Sequence, residues 1–91
     1  MGEFTDPCDR DSCLELGNQH WVKGDTRSAA PYFQKACDKN NAGGCLRLAL
    51  LYATGDGVPH DRKKALKLSK KACDLGDSWG CDEYRNIIEN R

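Results

Sequence analysis

Apolar side chains recur every three or four positions along most of the chain, and this period predicts amphipathic α helices. Clusters of glycine, asparagine and aspartate interrupt the pattern at four places, where we expect turns between helices. The predicted helices cover about residues 11–23, 26–38, 42–54, 62–74 and 78–88. The pattern therefore predicts an all-α fold.

The second and third predicted helices each carry an unusual feature. Pro31 lies inside the second helix and removes one backbone hydrogen bond, so we expect this helix to begin nearer Ala29 than Thr26. The third helix is apolar on nearly every side, which is typical of a helix packed between neighbours.

One segment of the chain is repeated. The tetrad Lys-Ala-Cys-Asp at residues 35–38 returns at residues 71–74, and in both copies seven residues separate its cysteine from the next one. Self-similarity at a fixed period is typical of stacked helical hairpins, none of which buries its apolar face alone. We therefore predict an α/α superhelical solenoid of about two helix-hairpin repeats plus a C-terminal closing helix.

Composition and charge narrow the class of protein. The chain has 91 residues, so we expect one small domain or part of one, and its 14 basic and 14 acidic side chains leave no net charge. A neutral balance gives no reason to expect a nucleic-acid partner. The longest apolar stretch, at about residues 48–53, is far too short to cross a bilayer, so we expect no membrane insertion.

Six cysteines in so short a chain are typical of a disulfide framework, although six thiols allow many different pairings. Disulfides persist in oxidising compartments. Free buried thiols are the alternative, because cysteine also packs as a small apolar residue. Zinc binding and thiol redox catalysis fit poorly, because the chain has no C-x-x-C pair and no histidine in register with the cysteines. We expect no metal site and no cofactor.

Two motifs carry a resemblance to known families. Residues 55–65, with the pattern G-x-G-V-x-x-D-x-x-K-A, resemble the Sel1-like repeat, a relative of the tetratricopeptide repeat. The Lys-Ala-Cys-Asp tetrad followed by Gly-Cys is similar to the Hcp-type bacterial cysteine-rich repeat proteins, which are secreted or periplasmic. The resemblance covers roughly residues 11–88.

The resemblance also implies how the cysteines pair. In the Hcp-type group, the cysteine that ends one hairpin is bridged to the cysteine that opens the next. The implied disulfides are Cys37–Cys45, Cys73–Cys81 and, by analogy across a shortened loop, Cys8–Cys13.

A binding face is implied in the same way. In the tetratricopeptide relatives, the first helix of each pair lines a concave groove that holds a protein or an extended peptide. Side-chain amides suit such a ligand, because an amide both donates to and accepts from a peptide backbone. Trp21 and Leu50 are candidate apolar anchors, or else they pack against neighbouring helices. The implied ligand-binding residues are Asn18, Trp21, Val22, Leu46, Leu50, Thr54, Trp79 and Asn86.

The resemblance brings in an enzyme as an alternative, because Hcp-type proteins have been linked to penicillin binding and β-lactam hydrolysis. The usual S-x-x-K nucleophile motif of that chemistry is absent from the sequence. Neither His20 nor His60 has a sequence context that suggests a nucleophile and its base. We therefore expect no catalytic residue, and a binding module in the periplasm or outside a bacterial cell. A further alternative is a structural piece of a longer solenoid.

The fourth predicted helix is strongly basic. Such a run is typical of a solvated convex face, and an acidic partner or an anionic surface is the alternative. The basic residues are Arg62, Lys63, Lys64, Lys67, Lys70 and Lys71.

The first ten residues lack apolar periodicity. We expect residues 1–10 to form a flexible N-terminal segment and residues 11–91 to form the repeat domain. Residues 1–4 are typical of a start codon followed by cloning residues, and no apolar export signal follows Met1, so we expect any such signal to have been removed.

Overall fold

The computed structural model describes residues 8–89. This part of the chain consists of five α helices and contains no strand. The helices are Arg10–Val22 (α1), Thr26–Asp38 (α2), Ala42–Thr54 (α3), Arg62–Asp74 (α4) and Ser78–Glu89 (α5). Each helix packs against the next one in the chain, and α3 also contacts α5. The predicted all-α solenoid of helical hairpins, stapled by disulfides, is confirmed.

Side-chain caps set where the first four helices begin. In each case a side-chain oxygen of the residue before the helix accepts a hydrogen bond from the backbone N–H three residues later, which satisfies one of the amides that a helix start leaves unpaired. The capping residues are Asp9, Asp25, Asn41 and Asp61, at donor–acceptor distances of 2.8, 3.3, 3.1 and 3.1 Å.

The expected late start of α2 is wrong. Asp25 accepts from the Ser28 amide and fixes the start at Thr26. Pro31 removes only the hydrogen bond to the carbonyl of Arg27, which lies on the exposed side of the helix, where water can take the place of the missing donor. One lost bond at an exposed position does not outweigh the cap.

The hairpins pack through glycines that let helices approach closely. A Cβ atom at Gly44 would lie 2.6 Å from the Cβ of Ala36, and one at Gly80 would lie 2.6 Å from the Cβ of Ala72. Both contacts recur at the repeat spacing, so the same close approach joins α2 to α3 and α4 to α5. In the first hairpin, Gly17 makes room for the fully buried ring of Phe33.

Three disulfides join helix ends that follow one another in the chain. Cys37–Cys45 ties the end of α2 to the start of α3, and Cys73–Cys81 ties the end of α4 to the start of α5, each with a Cα–Cα distance of 4.5 Å. Cys8–Cys13 closes the start of α1. These are the pairs implied by the resemblance. Closing a loop of this size stabilises a fold by about 2–3 kcal/mol.

The loop between α3 and α4 folds back onto α2. Gly55 and Gly57 have φ angles of 74° and 80°, a conformation that favours glycine. Gly57 lies directly on the backbone of Thr26, whose hydroxyl donates a 2.8 Å hydrogen bond to the carboxylate of Asp56. Val58 packs against the core cluster that α2 and α3 share. The loop thereby forms one wall of the groove between α2 and α3.

At the N-terminus, helix α1 begins at Arg10, one residue before the predicted boundary of the repeat domain. Cys8 is buried and Asp9 caps the helix. The expectations for residues 1–7 lie outside the described residues.

Neighbouring glycines in α3 allow a test of the close approach. At Gly44 an added methyl group meets the Ala36 Cβ at 2.6 Å and the backbone nitrogen of Cys37 at 3.0 Å. At Gly43 it meets the capping Oδ1 of Asn41 at 3.1 Å and the end of the Leu14 side chain at 3.3 Å, and both can move by the few tenths of an ångström required. We expect Gly44→Ala to lower the free energy of unfolding by about 1–3 kcal/mol, measured by urea unfolding of the oxidised protein. Gly43→Ala, which gains helix propensity, should change it by less than about 0.5 kcal/mol. Equal losses in the two variants would contradict the role of Gly44.

The capping aspartates predict how stability depends on pH. Hydrogen bonds from Ser28 lower the pKa of Asp25, and the backbone hydrogen bond from Ser12 lowers the pKa of Asp9. A pKa that is lower in the folded state stabilises the fold above the unfolded-state value of about 4, and this stabilisation is lost as the pH falls. We expect Asp25→Asn, which keeps the cap, to reduce the fall in thermal midpoint on acidification.

Glu15→Gln is the matched control, because it removes an exposed carboxylate that caps no helix. Thermal melts of the three proteins through the acid range check this expectation. If Asp25→Asn and Glu15→Gln follow the same curve, the cap does not carry the acid dependence.

Candidate peptide-binding face

The predicted ligand-binding residues lie on the alternate helices α1, α3 and α5. The strongest cluster among them joins α1 to α3 around Trp21. The half-buried indole ring packs edge-on against Phe33, with ring centroids 6.3 Å apart. The guanidinium carbon of Arg47 lies 4.7 Å from the Trp21 ring centroid, at a distance where a cation is attracted to the face of an aromatic ring.

Two polar atoms at this cluster are buried without a hydrogen-bond partner. They are the Oδ1 atom of Asn18, one helical turn before Trp21, and the Nε atom of Arg47. A buried donor or acceptor without a partner costs about 1–3 kcal/mol, so such atoms are rare in folded proteins. We name Asn18, Trp21 and Arg47 the Arg47 cluster. It offers a positive charge and an aromatic surface, and the two unpartnered atoms are buried within it.

The structure brings two further predicted residues together. Thr54 of α3 and Asn86 of α5 line one pocket of about 350 Å³. The Thr54 hydroxyl donates to the carbonyl of Leu50 at 2.9 Å, so only its acceptor capacity is left for a ligand. The Arg62 guanidinium donates a 2.6 Å hydrogen bond to the carbonyl of Ile87 and closes one side. The remaining lining residues are Ala53, His60, Ala65 and Glu83.

The two leucines of the predicted set contribute to packing. Leu46 is only 7% exposed, and it forms a core cluster with Cys37, Cys45 and Ala72. Leu50 is half-buried and packs against the same cluster. Because α4 and the disulfide occupy this side of α3, Leu46 has almost no surface to offer a ligand. We leave it out of the face proposed below.

Val22 and Trp79 are the most exposed large apolar side chains in the described part of the chain, at 80% and 71%. Val22 ends α1 and Trp79 lies in the first turn of α5. Neither belongs to the Arg47 cluster or to the pocket beside Thr54. The structure thus distributes the eight predicted residues over several surfaces.

The sequence analysis missed Arg47. It is the only charged residue in α3, whose other side chains are apolar or small apart from the terminal threonine. A single charged residue in an otherwise apolar helix could have identified it. Arginine is rarely buried, so its presence in a packed helix indicates a function other than keeping the surface soluble.

Other kinds of site find little support within residues 8–89. No group of three histidine, cysteine or acidic side chains is placed to hold a metal ion. All six cysteines are in disulfides, so none is a thiol nucleophile. No helix here is both long and apolar enough to cross a membrane. The disulfides are compatible with an oxidising compartment.

Known proteins resemble this chain in sequence. It is 48% identical over 78 residues to cytochrome c oxidase assembly factor 7A of Xenopus laevis, covering 78% of this chain and 34% of that protein. It is 47% identical over 60 residues to cytochrome c oxidase assembly factor 7 of Xenopus tropicalis, covering 65% and 26%. It is 44% identical over 64 residues to the putative beta-lactamase HcpC of Helicobacter pylori, covering 70% and 22%.

The chain therefore spans about a third or less of the length of these relatives. They come from animals and from a bacterium, so the likeness does not single out a bacterial source. The Sel1 repeat family matches residues 12–41 and 42–77, which correspond to the two hairpins α1–α2 and α3–α4. Two family repeats make this a repeat protein of a kind that often mediates protein interactions. The chain belongs to the Sel1 repeat family.

Proposed function

We propose that this chain is a peptide-binding module that works in an oxidising compartment outside the cytosol, such as the periplasm or the cell exterior, and recognises a partner protein through its concave face. The observation that supports the proposal most is the Arg47 cluster, because the half-buried guanidinium is held against the Trp21 ring without an ion-pair partner among residues 8–89.

Arg47 suits an acidic group of the ligand. No carboxylate within residues 8–89 forms an ion pair with it, although its guanidinium can donate several hydrogen bonds in one plane. The Trp21 ring holds the guanidinium from one side and so limits the entropy lost on binding. A ligand carboxylate, from a side chain or from a chain terminus, is therefore the group we place at Arg47.

Asn18 and the pocket beside Thr54 suit the backbone of the same ligand. The half-buried Asn18 can donate from its amide NH₂ group to a peptide carbonyl, and the Asn86 amide can both donate and accept. An extended peptide that reaches from α1 to α5 would satisfy these groups in turn. Because the surface is short, we expect affinity for a single peptide to be modest, in the micromolar range.

The relatives support a role in assembling other proteins. Two of them are named as assembly factors, and a module that recognises an extended segment fits the binding of a client protein during assembly. A third is named as a putative beta-lactamase. None of the four serines begins the S-x-x-K motif of that chemistry, and Ser69 is fully buried and donates to the Leu66 carbonyl.

Replacing Arg47 should cost the fold little. The change Arg47→Met keeps an apolar stem against Trp21 and removes the unpartnered Nε–H, whereas it loses a cation–aromatic contact of about 0.5–1 kcal/mol. We expect its free energy of unfolding to lie within about 1 kcal/mol of the wild-type value. Trp21→Ala, which loses packing on Phe33, should cost about 2 kcal/mol or more. Equal losses in urea unfolding would show that Arg47 serves stability.

Binding is tested by selecting peptides from a random library on the immobilised oxidised protein. We expect the selected peptides to carry a carboxylate and to bind Arg47→Met at least roughly tenfold more weakly, because a charged hydrogen-bonded pair is lost. Asn18→Ala should weaken them as well. Arg27→Gln, which removes an exposed arginine of α2 outside the cluster, is the control and should bind as the wild type does. Selected peptides that bind Arg47→Met with unchanged affinity would overturn the proposal.

A further inference from the structure

The space around Trp21 has a counterpart in the second repeat. Aligning the cysteines near the starts of α1, α3 and α5 places Ala53 at the position of Trp21 and Glu83 at the position of Arg47. The pocket beside Thr54, with a volume of about 350 Å³, therefore lies between α3 and α5 where the Trp21 ring lies between α1 and α3.

In the first repeat, the indole ring of Trp21 occupies this space. The ring packs on the core cluster that contains Ala29 and Leu51, and it meets Phe33 edge-on. The guanidinium of Arg47 lies over the face of the ring, 4.7 Å from its centroid. An aromatic ring at this place thus meets an apolar floor and a cation.

The second repeat keeps the apolar floor and lacks both rings. Ala65 and Ile87 are the counterparts of the floor residues in the first repeat, and both are buried and line the pocket. Ala53 takes the place of the indole, and the fully buried Ser69 takes the place of its aromatic partner. The pocket is therefore open because two small side chains within residues 8–89 replace two large ones. Its volume falls in the range of roughly 300–1,000 Å³ that is usual for ligand sites.

The polar rim of the pocket also differs from that of the first repeat. Glu83 is half-buried and makes no hydrogen bond or ion pair within residues 8–89. Arg62, at the start of α4, lines the same pocket, and its guanidinium is held by the hydrogen bond to the Ile87 carbonyl. The second repeat thus offers a cation from α4 and an unpaired acceptor from α5.

We propose that the pocket beside Thr54 binds a tryptophan side chain of the ligand peptide, which takes the place that the Trp21 ring takes in the first repeat. The ring packs on Ala65 and Ile87, and its N–H donates to the Glu83 carboxylate. The inference rests on the proposed function for the peptide that carries the tryptophan, whereas the chemistry of the site rests on the pocket alone.

A neutral indole fits this lining better than other side chains do. Glu83 alone would also attract a lysine or an arginine, but Arg62 in the same lining repels a second cation. The face of an aromatic ring attracts that guanidinium instead. A phenylalanine ring fits the floor but takes water from the Glu83 carboxylate without giving it a donor. An indole satisfies the floor, the cation and the acceptor together.

The test uses N-acetyl-L-tryptophanamide, titrated into the ¹⁵N-labelled oxidised protein and followed by NMR. We expect binding in the roughly millimolar range, because the probe is small. The signals that shift should be the backbone amides of Thr54 and Glu83 and the side-chain amide of Asn86. N-acetyl-L-phenylalaninamide, which lacks the ring N–H, should bind about threefold more weakly or worse.

Two kinds of variant test the space and the acceptor. Ala53→Trp returns the ring of the first repeat and should weaken binding of the probe at least roughly tenfold, because the chain then fills its own pocket. Ala53→Leu fills less of the space and should act in the same direction, so the test does not depend on the larger ring. Glu83→Gln keeps the shape and should weaken binding about threefold or more. Asp82→Asn, at an exposed position outside the lining, is its matched control and should bind as the wild type does.

Several outcomes would overturn the tryptophan pocket. They are probe-induced shifts that avoid Thr54, Glu83 and Asn86, unchanged affinity in both Ala53 variants, and equal weakening in Glu83→Gln and Asp82→Asn. The library-selected peptides separate this inference from the proposed function. Peptides that depend on Arg47 and bind Ala53→Trp as tightly as the wild type would contradict the pocket and support the peptide-binding face. Probe binding as expected, together with peptides that do not depend on Arg47, would support the pocket and contradict that face.

Discussion

The close contact between a glycine at the start of one helix and an alanine near the end of the preceding helix determines the geometry of this protein. Gly44 against Ala36 and Gly80 against Ala72 leave no room for a side chain, so the helix backbones lie against each other. A disulfide adjoins each contact, at Cys37–Cys45 and at Cys73–Cys81. Contact and disulfide together fix the angle between consecutive helices, and every surface of the molecule depends on that angle.

The fixed angle makes two different surfaces available. On one of them, Arg47 of α3 is held over Trp21 of α1 with a buried donor left unpaired. On the other, Leu66 and Tyr84 line a basic groove between α4 and α5. In a protein stabilised by three disulfides, a few buried unpaired groups cost a small part of the stability.

The repeating parts of the fold could be predicted from the sequence, and the particular contacts could not. Helical period and turn residues gave the five helices, and the resemblance gave the disulfide pairs. The predicted start of α2 was too late in the sequence. The prediction considered the helix-breaking tendency of Pro31 but not the cap at Asp25, which stabilises the start at Thr26. Leu46 was assigned to the face although it lies in the core, since a helix apolar on all sides does not reveal which side is covered. Arg47 was overlooked because its partner Trp21 lies on another helix.

The guanidinium of Arg47 is the group that binds the ligand carboxylate, and NMR reports on it through the ¹H–¹⁵N signal of its Nε–H. In the free oxidised protein we expect that signal to have the shift of an Nε–H without a hydrogen bond. On titration with a peptide selected for binding, it should shift together with the side-chain amide signals of Asn18, as the guanidinium pairs with the ligand carboxylate. A bound peptide that shifts signals elsewhere and leaves the Arg47 Nε–H signal in place would contradict the account.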